Sequence, residues 1–193
     1  MSKNHQGSTL RVWLIGVAII GAAALTRILP HPHNFTPMAA LALFGGAHFR
    51  DKFRAFLVPL AAMLLSDVVL YLARYPSYVG EAVSTALVVY GSLALIAGIG
   101  LWLQNRRTVV NVAGACLVSS LLFFLITNFA VWVKSGMYPL TAGGLISCYV
   151  AAIPFFQNQL AADVLFTAVL FGGFALIEGR VPQLRERHEL ASG

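Results

Sequence analysis

Long apolar runs separated by short polar stretches dominate the pattern of the chain. A bilayer core about 30 Å thick needs about 20 apolar residues in each crossing helix. The runs that meet this length, or nearly so, predict membrane helices over 12–29, 53–73, 83–103, 108–133 and 158–177. A shorter run over 38–49 predicts a further helix, which gives an all-α bundle of six transmembrane helices. The short apolar stretch 142–156 is interrupted by Pro154 and predicts a half-helix or an extension packed against the bundle.

Composition agrees with this pattern. Apolar and aromatic residues make up 59% of the 193 residues, and charged residues only 10%, where a soluble domain carries about 25%. The mean hydropathy is +0.79. This excludes an ordinary cytosolic enzyme, a disordered chain and a nucleic-acid-binding domain. We predict one integral membrane domain over 1–193, embedded over about 12–177, with tails at 1–11 and 178–193.

The basic residues predict how the bundle is oriented. Most of the 13 Lys and Arg residues lie in the two tails and in two connections of the predicted bundle. These residues are Lys3, Arg11, Arg50, Lys52, Arg54, Arg106, Arg107, Arg180, Arg185 and Arg187. Because basic residues accumulate on the cytoplasmic side, both termini are predicted to be cytoplasmic. The opposite connections, 30–37, 74–82 and 134–157, are longer and rich in His, Pro, Tyr and Asn, which favours a binding site open to the outside.

The first outer connection, Leu29-Pro-His-Pro-His-Asn-Phe-Thr-Pro37, is the most unusual segment. Its prolines impose an extended or turning backbone. One interpretation is a rigid turn in which Thr36 caps the next helix and Pro37 is its first residue. The other is a binding loop, because a plain turn does not need imidazoles. His31 and His33 are the candidate metal ligands there.

Two acids lie within the apolar helices. A carboxylate in a membrane costs about 3 kcal/mol or more unless it is paired or hydrated. Asp67 is expected to pair with Ser66 or an arginine, and the expected partners of Asp163 are Asn158, Arg27 and Arg74. The alternative for both acids is a pocket contact or a role linked to protonation.

Aromatic and amide residues recur at the outer ends of the predicted helices, a bias that an aromatic belt alone does not explain. Asn128 must find a hydrogen-bond partner, and Trp132 follows it on the same helical face. The candidate substrate-binding residues are His31, His33, Asn34, Phe35, Asp67, Tyr71, Tyr75, Tyr78, Gly80, Tyr90, Asn128, Trp132, Tyr138, Phe156, Gln157 and Asn158. No catalytic residue is assigned. The sequence has no Walker A motif, and Cys116 and Cys148 form no C-x-x-C pair.

Four strings together resemble a known family. They are HNFTPMAALALFGGAHF, PLAAMLLSD, FFLITNFAVW and YPLTAGGLISCYVAAIPFFQNQLAAD. They are similar to the BtuM-type cobalamin uptake proteins, which in turn resemble the substrate-binding S-components of energy-coupling-factor (ECF) vitamin transporters. The resemblance covers about 27–177. It implies a six-helix, multi-pass protein of the bacterial cytoplasmic membrane that takes up cobalamin or a related corrinoid. It also implies an ECF-type ATPase module as partner, or none, and cobalamin as a bound substrate, with no prosthetic group.

The chain departs from that family at one place. The family is associated with a cysteine in the outer loop after the third helix, where it would ligate cobalt. Here the loop reads Arg74-Tyr-Pro-Ser-Tyr-Val-Gly-Glu81 and contains no cysteine. Cobalt ligation is then left to His31 or His33, or does not occur, and chemistry on the upper ligand of cobalt is not expected. Three other functions stay open: an S-component for a smaller vitamin, a membrane enzyme using a histidine with Asp67, and a structural subunit.

Overall fold

The computed structural model describes residues 14, 17–18, 20–22, 25–28, 32–49, 51–74 and 79–180. All regular elements within these ranges are helical, so the predicted all-α class is confirmed there. A 3₁₀ turn, Thr26–Ile28, precedes five α-helices: α1 (Met38–His48), α2 (Lys52–Arg74), α3 (Val79–Leu103), α4 (Val109–Lys134) and α5 (Ala142–Arg180).

Four of these helices, α2 to α5, are long and apolar enough to cross a membrane. Their outward faces carry large apolar side chains: the exposed fractions are 67% for Leu65, 84% for Leu87 and 79% for Val110. Such faces are stable in lipid, where apolar side chains meet apolar chains, and they would be unstable in water. The chain is therefore a membrane protein.

The N-terminal prediction is described only in part. The described residues of the predicted 12–29 helix up to Leu25 are helical, and the 3₁₀ turn follows them. Ile20 belongs to the buried core with an exposed fraction of 1%. The predicted tails lie outside the described residues, except that α5 continues to Arg180. The six-span topology with both termini on one side therefore stays a prediction.

The short helix α1 forms the centre of the bundle. Every residue from Met38 to Ala47 is buried, and α1 packs against α2, α3, α4 and α5. Small residues allow this close packing: a Cβ built on Gly100 would lie 2.8 Å from the Cα of Gly46, so the backbones of α1 and α3 are in direct contact. At 1.5 Å per residue α1 is only about 16 Å long, roughly half of a bilayer core.

The start of α1 corrects one prediction. Thr36 does not cap the helix. The N-cap position is Pro37, and no side chain makes a capping hydrogen bond there. The first helical bond runs from the Leu41 N–H to the Pro37 carbonyl at 2.8 Å. The Thr36 N–H is used in the preceding turn, where it donates to the Asn34 carbonyl at 3.1 Å.

The last helix corrects a second prediction. The half-helix expected over 142–156 and the helix expected over 158–177 are one continuous α5 of 39 residues, with Pro154 inside it. A proline removes a single N–H from a helix, and tightly packed membrane helices tolerate that loss. The Gly144 N–H donates to the Thr141 Oγ1 at 3.2 Å and starts α5 early. The outer connection predicted over 134–157 is therefore only 135–141.

Contacts at one end of the bundle bring the basic turn 104–108 onto the end of α1. The Gln104 Nε2 donates to the carbonyl oxygens of Gly46 and Phe49 at 3.0 and 2.8 Å. Burial lowers the pKa of Arg107 in the same turn, and the charge of Glu178 near the end of α5 opposes that shift. We call this the basic end, and the opposite end of the bundle, where α2 and α4 finish, the far end.

Candidate functional site

The segment from Pro32 to Phe35 is a tight turn that leads into α1. The Phe35 N–H donates to the Pro32 carbonyl at 3.0 Å. Asn34 has a φ of 63°, a left-handed conformation that asparagine tolerates better than most residues. His33 and Asn34 are exposed at the tip of the turn. The local sequence thus presents an imidazole and an amide on a defined backbone.

Contacts with the middle of α5 fix this turn. The Asn158 Nδ2 donates to the backbone carbonyl of His33 at 3.1 Å. The His33 ring meets the edge of Phe155 with centroids 6.4 Å apart, and Phe35 packs against Phe166 at 6.1 Å. Because Asn158 binds the backbone, the hydrogen bond that holds the turn does not use the imidazole of His33.

The turn lies well below the far end of α5. Sixteen residues of α5, from Ala142 to Gln157, precede Asn158, which is about 24 Å of helix. At the other end, α1 reaches the 104–108 turn through Gln104. The short central helix is therefore level with its neighbours at the basic end and recessed relative to α5 at the far end.

A charged cluster joins the 3₁₀ turn to α2 and α3. The Arg27 guanidinium forms an ion pair with the Asp67 carboxylate at 2.7 Å and donates to the Ser66 hydroxyl. The Tyr90 hydroxyl donates to the other carboxylate oxygen of Asp67 at 2.9 Å. The expectation that Asp67 pairs with Ser66 or an arginine is met by Arg27, which contacts both residues. The structure also brings together Asp67 and Tyr90, two predicted site residues.

Asp163 lies in a different environment, between α4 and α5, with an exposed fraction of 2%. The Ser120 Oγ lies 2.7 Å from its Oδ2, and the Gln159 Nε2 lies 3.5 Å from the same oxygen. Its Oδ1 has no hydrogen-bond partner among the described residues. The predicted partners are wrong in two cases, because Asn158 binds the turn and Arg27 binds Asp67.

Sequence reasoning missed Gln159 and Ser120 as partners of Asp163. The spacing of Gln159 and Asp163 was a usable signal, since residues four apart share one face of a helix. Ser120 offered no such signal, because only the packing of α4 on α5 brings it to Asp163.

Other predicted site residues make structural contacts near the far end. The Asn128 Nδ2 donates to the Phe124 carbonyl of its own helix at 2.8 Å. The Trp132 Nε1 donates to the Pro139 carbonyl at 3.0 Å and closes the connection between α4 and α5. The thiol of Cys148, which is buried, donates to the backbone carbonyl of Asn128 at 3.5 Å.

The remaining predicted residues divide into two groups. Phe156 packs against Phe124 with centroids 4.6 Å apart, Gln157 is exposed, and Tyr138 is half-buried. His31, Tyr75 and Tyr78 lie outside the described residues, as do the side-chain surroundings of Tyr71 and Gly80. Within the described ranges no group of three or more His, Cys, Asp or Glu side chains could hold a metal ion. A single axial imidazole on an incoming cobalt compound is a different arrangement.

Comparison with known proteins gives one match. The profile of a family of unknown function, DUF6580, matches residues 7–184. The match covers nearly the whole chain, so the chain belongs to this family. No curated protein and no solved structure matches it.

Proposed function

We propose that this member of DUF6580 is a substrate-binding transport protein that takes up cobalamin or a related corrinoid across the bacterial cytoplasmic membrane. The observation that carries the proposal is the recessed position of α1. Its leading turn lies about 24 Å of helix below the far end of α5. Since the basic end would face the cytoplasm, the recess would open to the outside, where a nutrient arrives.

The groups at the recess suit a corrinoid. This substrate class is a flat, largely apolar macrocycle with amides at its rim and a cobalt ion at its centre. Phe155 offers an aromatic surface beside the turn. The exposed amides of Asn34 and Gln157 can meet the amides of the rim. The exposed imidazole of His33 is a nitrogen ligand that suits cobalt.

The test is the absorption spectrum of purified protein with aquocobalamin, the corrinoid whose upper ligand is water. Replacement of that water by an imidazole changes the spectrum. We expect the change with the parent chain and its loss with His33→Ala. The matched control is His48→Phe, which removes an imidazole near the basic end while keeping an aromatic ring against Phe44.

Each outcome of this experiment decides a point. A spectral change that survives in His33→Ala and disappears in His31→Ala would move the ligand to His31. Binding by equilibrium dialysis without any spectral change would keep the corrinoid and remove the imidazole. No retention of aquocobalamin in dialysis, under conditions where the protein is folded, would overturn the corrinoid proposal.

A specific observation favours one alternative, an S-component for a smaller vitamin that works with a separate ECF ATPase module. Asn128 and Trp132 are engaged with Phe124 and Pro139, which leaves fewer groups to cover a macrocycle. Thermal unfolding with a panel of small vitamins would identify such a substrate. Uptake that stops when the ATPase genes are deleted would identify the module.

The proposed acid–base enzyme has less support. It needs Asp67 to exchange protons with a loop histidine, and Asp67 is held by Arg27 and Tyr90. Those contacts occupy both carboxylate oxygens in a structural role.

A further inference from the structure

Asp163 lies in a bundle that offers it no compensating charge among the described residues. Its hydrogen-bonding neighbours, Ser120 and Gln159, are neutral. The helices packed against α5 are α4 and α1. The titratable group of α4 nearest along the helix is the Cys116 thiol, one turn from Ser120, and it is in contact with the Thr167 hydroxyl.

The remaining titratable groups of these helices are farther away. The only one on α1 is His48, whose ring packs against Phe171 and Phe174, two to three turns along α5 from Asp163. On α4, Lys134 is 14 residues from Ser120, about 21 Å of helix. On α5, Glu178 is 15 residues from Asp163, about 22 Å. An ionised Asp163 would be an isolated charge within the membrane-spanning bundle.

The Ser120 hydroxyl allows the protons to be counted. Its Oγ lies 2.7 Å from the Asp163 Oδ2 and 3.0 Å from the Cys116 carbonyl oxygen. A hydroxyl has a single proton, and a carbonyl oxygen can only accept one. If Ser120 donates to Cys116, the hydrogen bond at 2.7 Å needs a proton from Asp163.

The other assignment leaves a charge without partners. If Ser120 donates to Asp163, the Cys116 carbonyl lies 3.0 Å from an oxygen that offers it no proton. The carboxylate then keeps an ionised Oδ1 that nothing contacts among the residues described. The Gln159 amide contributes little, since its Nε2 is closer to the Ser120 carbonyl, at 3.0 Å, than to Asp163. Burial of a charge with so few donors costs several kcal/mol.

We propose that Asp163 is a proton-binding site: the carboxyl is protonated in the resting protein and donates from Oδ2 to Ser120, which donates to the Cys116 carbonyl. All three groups then have matching donors and acceptors. Oδ1 becomes a neutral carbonyl oxygen, for which a missing donor is a smaller cost than for a carboxylate. The proton leaves the carboxyl only when water or a base reaches the space between α4 and α5. The site therefore links proton release to separation of these two helices, whatever substrate the protein carries.

Infrared spectroscopy of the full-length protein at neutral pH tests this site directly. A protonated carboxyl has a carbonyl stretching band separate from the amide and carboxylate bands. We expect that band in the parent protein and its loss in Asp163→Asn. Asp67→Asn is the matched control and should leave the band unchanged, because Asp67 is paired with Arg27.

A second variant covers the case in which Asp163→Asn does not fold. Ser120→Ala removes the acceptor of the proposed proton, so the acid band should persist at a shifted frequency. A parent spectrum without the band, or a band that Asp163→Asn leaves intact, would overturn the proposal. Thermal unfolding that rises with sodium in the parent and not in Asp163→Asn would also overturn it, since a metal cation would then hold the site. None of these results depends on corrinoid binding.

Discussion

Asp67 and Asp163 are both carboxyl groups on apolar helices, and their surroundings differ in charge and in depth. Asp67 has a guanidinium 2.7 Å away, and a third of its side chain is exposed. Asp163 has neutral neighbours and is 98% buried, since its exposed fraction is 2%. The cation for Asp67 comes from Arg27 in a 3₁₀ turn, outside the long helices. No comparable connection reaches Asp163 in the described part of the chain.

Position along the helix explains why the two solutions differ. Asp67 lies seven residues from the end of α2, and Asp163 lies 21 residues from the start and 17 from the end of α5. Water and a charged partner can reach the former and not the latter. The comparison shows that depth and neighbouring connections, more than residue type, decide whether an acid in this bundle is ionised or neutral.

Removing the cation from the first cluster should have the largest effect on stability. Arg27→Met leaves the Asp67 carboxylate without its ion pair. Breaking a buried pair costs about 3–5 kcal/mol, and we expect about 3 kcal/mol here because Asp67 can still be reached by water. Thermal or denaturant unfolding in detergent measures the loss.

The control for this prediction is Arg54→Met, which breaks an exposed pair with Asp51 at 3.5 Å and should cost at most about 1 kcal/mol. The double variant Arg27→Met with Asp67→Leu should recover most of the loss, since no isolated charge remains. Equal effects of Arg27→Met and Arg54→Met would show that the Asp67 pair is no different from a surface pair.

Two tyrosines allow a smaller test of the same contrast. Tyr90→Phe removes a hydrogen bond to a carboxylate, and Tyr149→Phe removes one to the neutral Leu125 carbonyl at 2.7 Å. Bonds to charged groups contribute about 1.5–3 kcal/mol, and neutral bonds between membrane helices about 0.6 kcal/mol. We expect Tyr90→Phe to be more destabilising in the same unfolding assay. The reverse order would mean that the Asp67 carboxylate is neutral in the folded protein.

The smallest loss is expected at the second acid. In Asp163→Asn the side-chain N–H can donate to Ser120 as the protonated carboxyl does, so the free energy of unfolding should fall by less than about 0.6 kcal/mol. Unfolding midpoints of Asp163→Asn and the parent provide the comparison. A loss as large as that of Arg27→Met would instead identify Asp163 as an ionised group with a favourable partner, and the contrast between the two acids would disappear.

Candidate site residues were predicted with mixed success, and the reason is physical. His33 and Asn158 were both selected as polar residues near the outer ends of helices, and the structure joins them through one hydrogen bond. Asn128 and Trp132 were selected on the same grounds, and they bind backbone carbonyl groups nearby. Residue type and depth show that a polar side chain needs a partner. They do not show whether the nearest backbone carbonyl already satisfies it.

The sequence by itself determined the membrane class and the extents of α2, α3 and α4 to within a few residues, because the length of an apolar run is a local property that the bilayer thickness selects. Only the tertiary structure decided three other features. These are the continuity of α5 through Pro154, the central position of α1, and the different partners of Asp67 and Asp163. Each depends on which helix lies against which. Hydropathy says that a segment enters the membrane, and packing between helices decides which polar groups meet there.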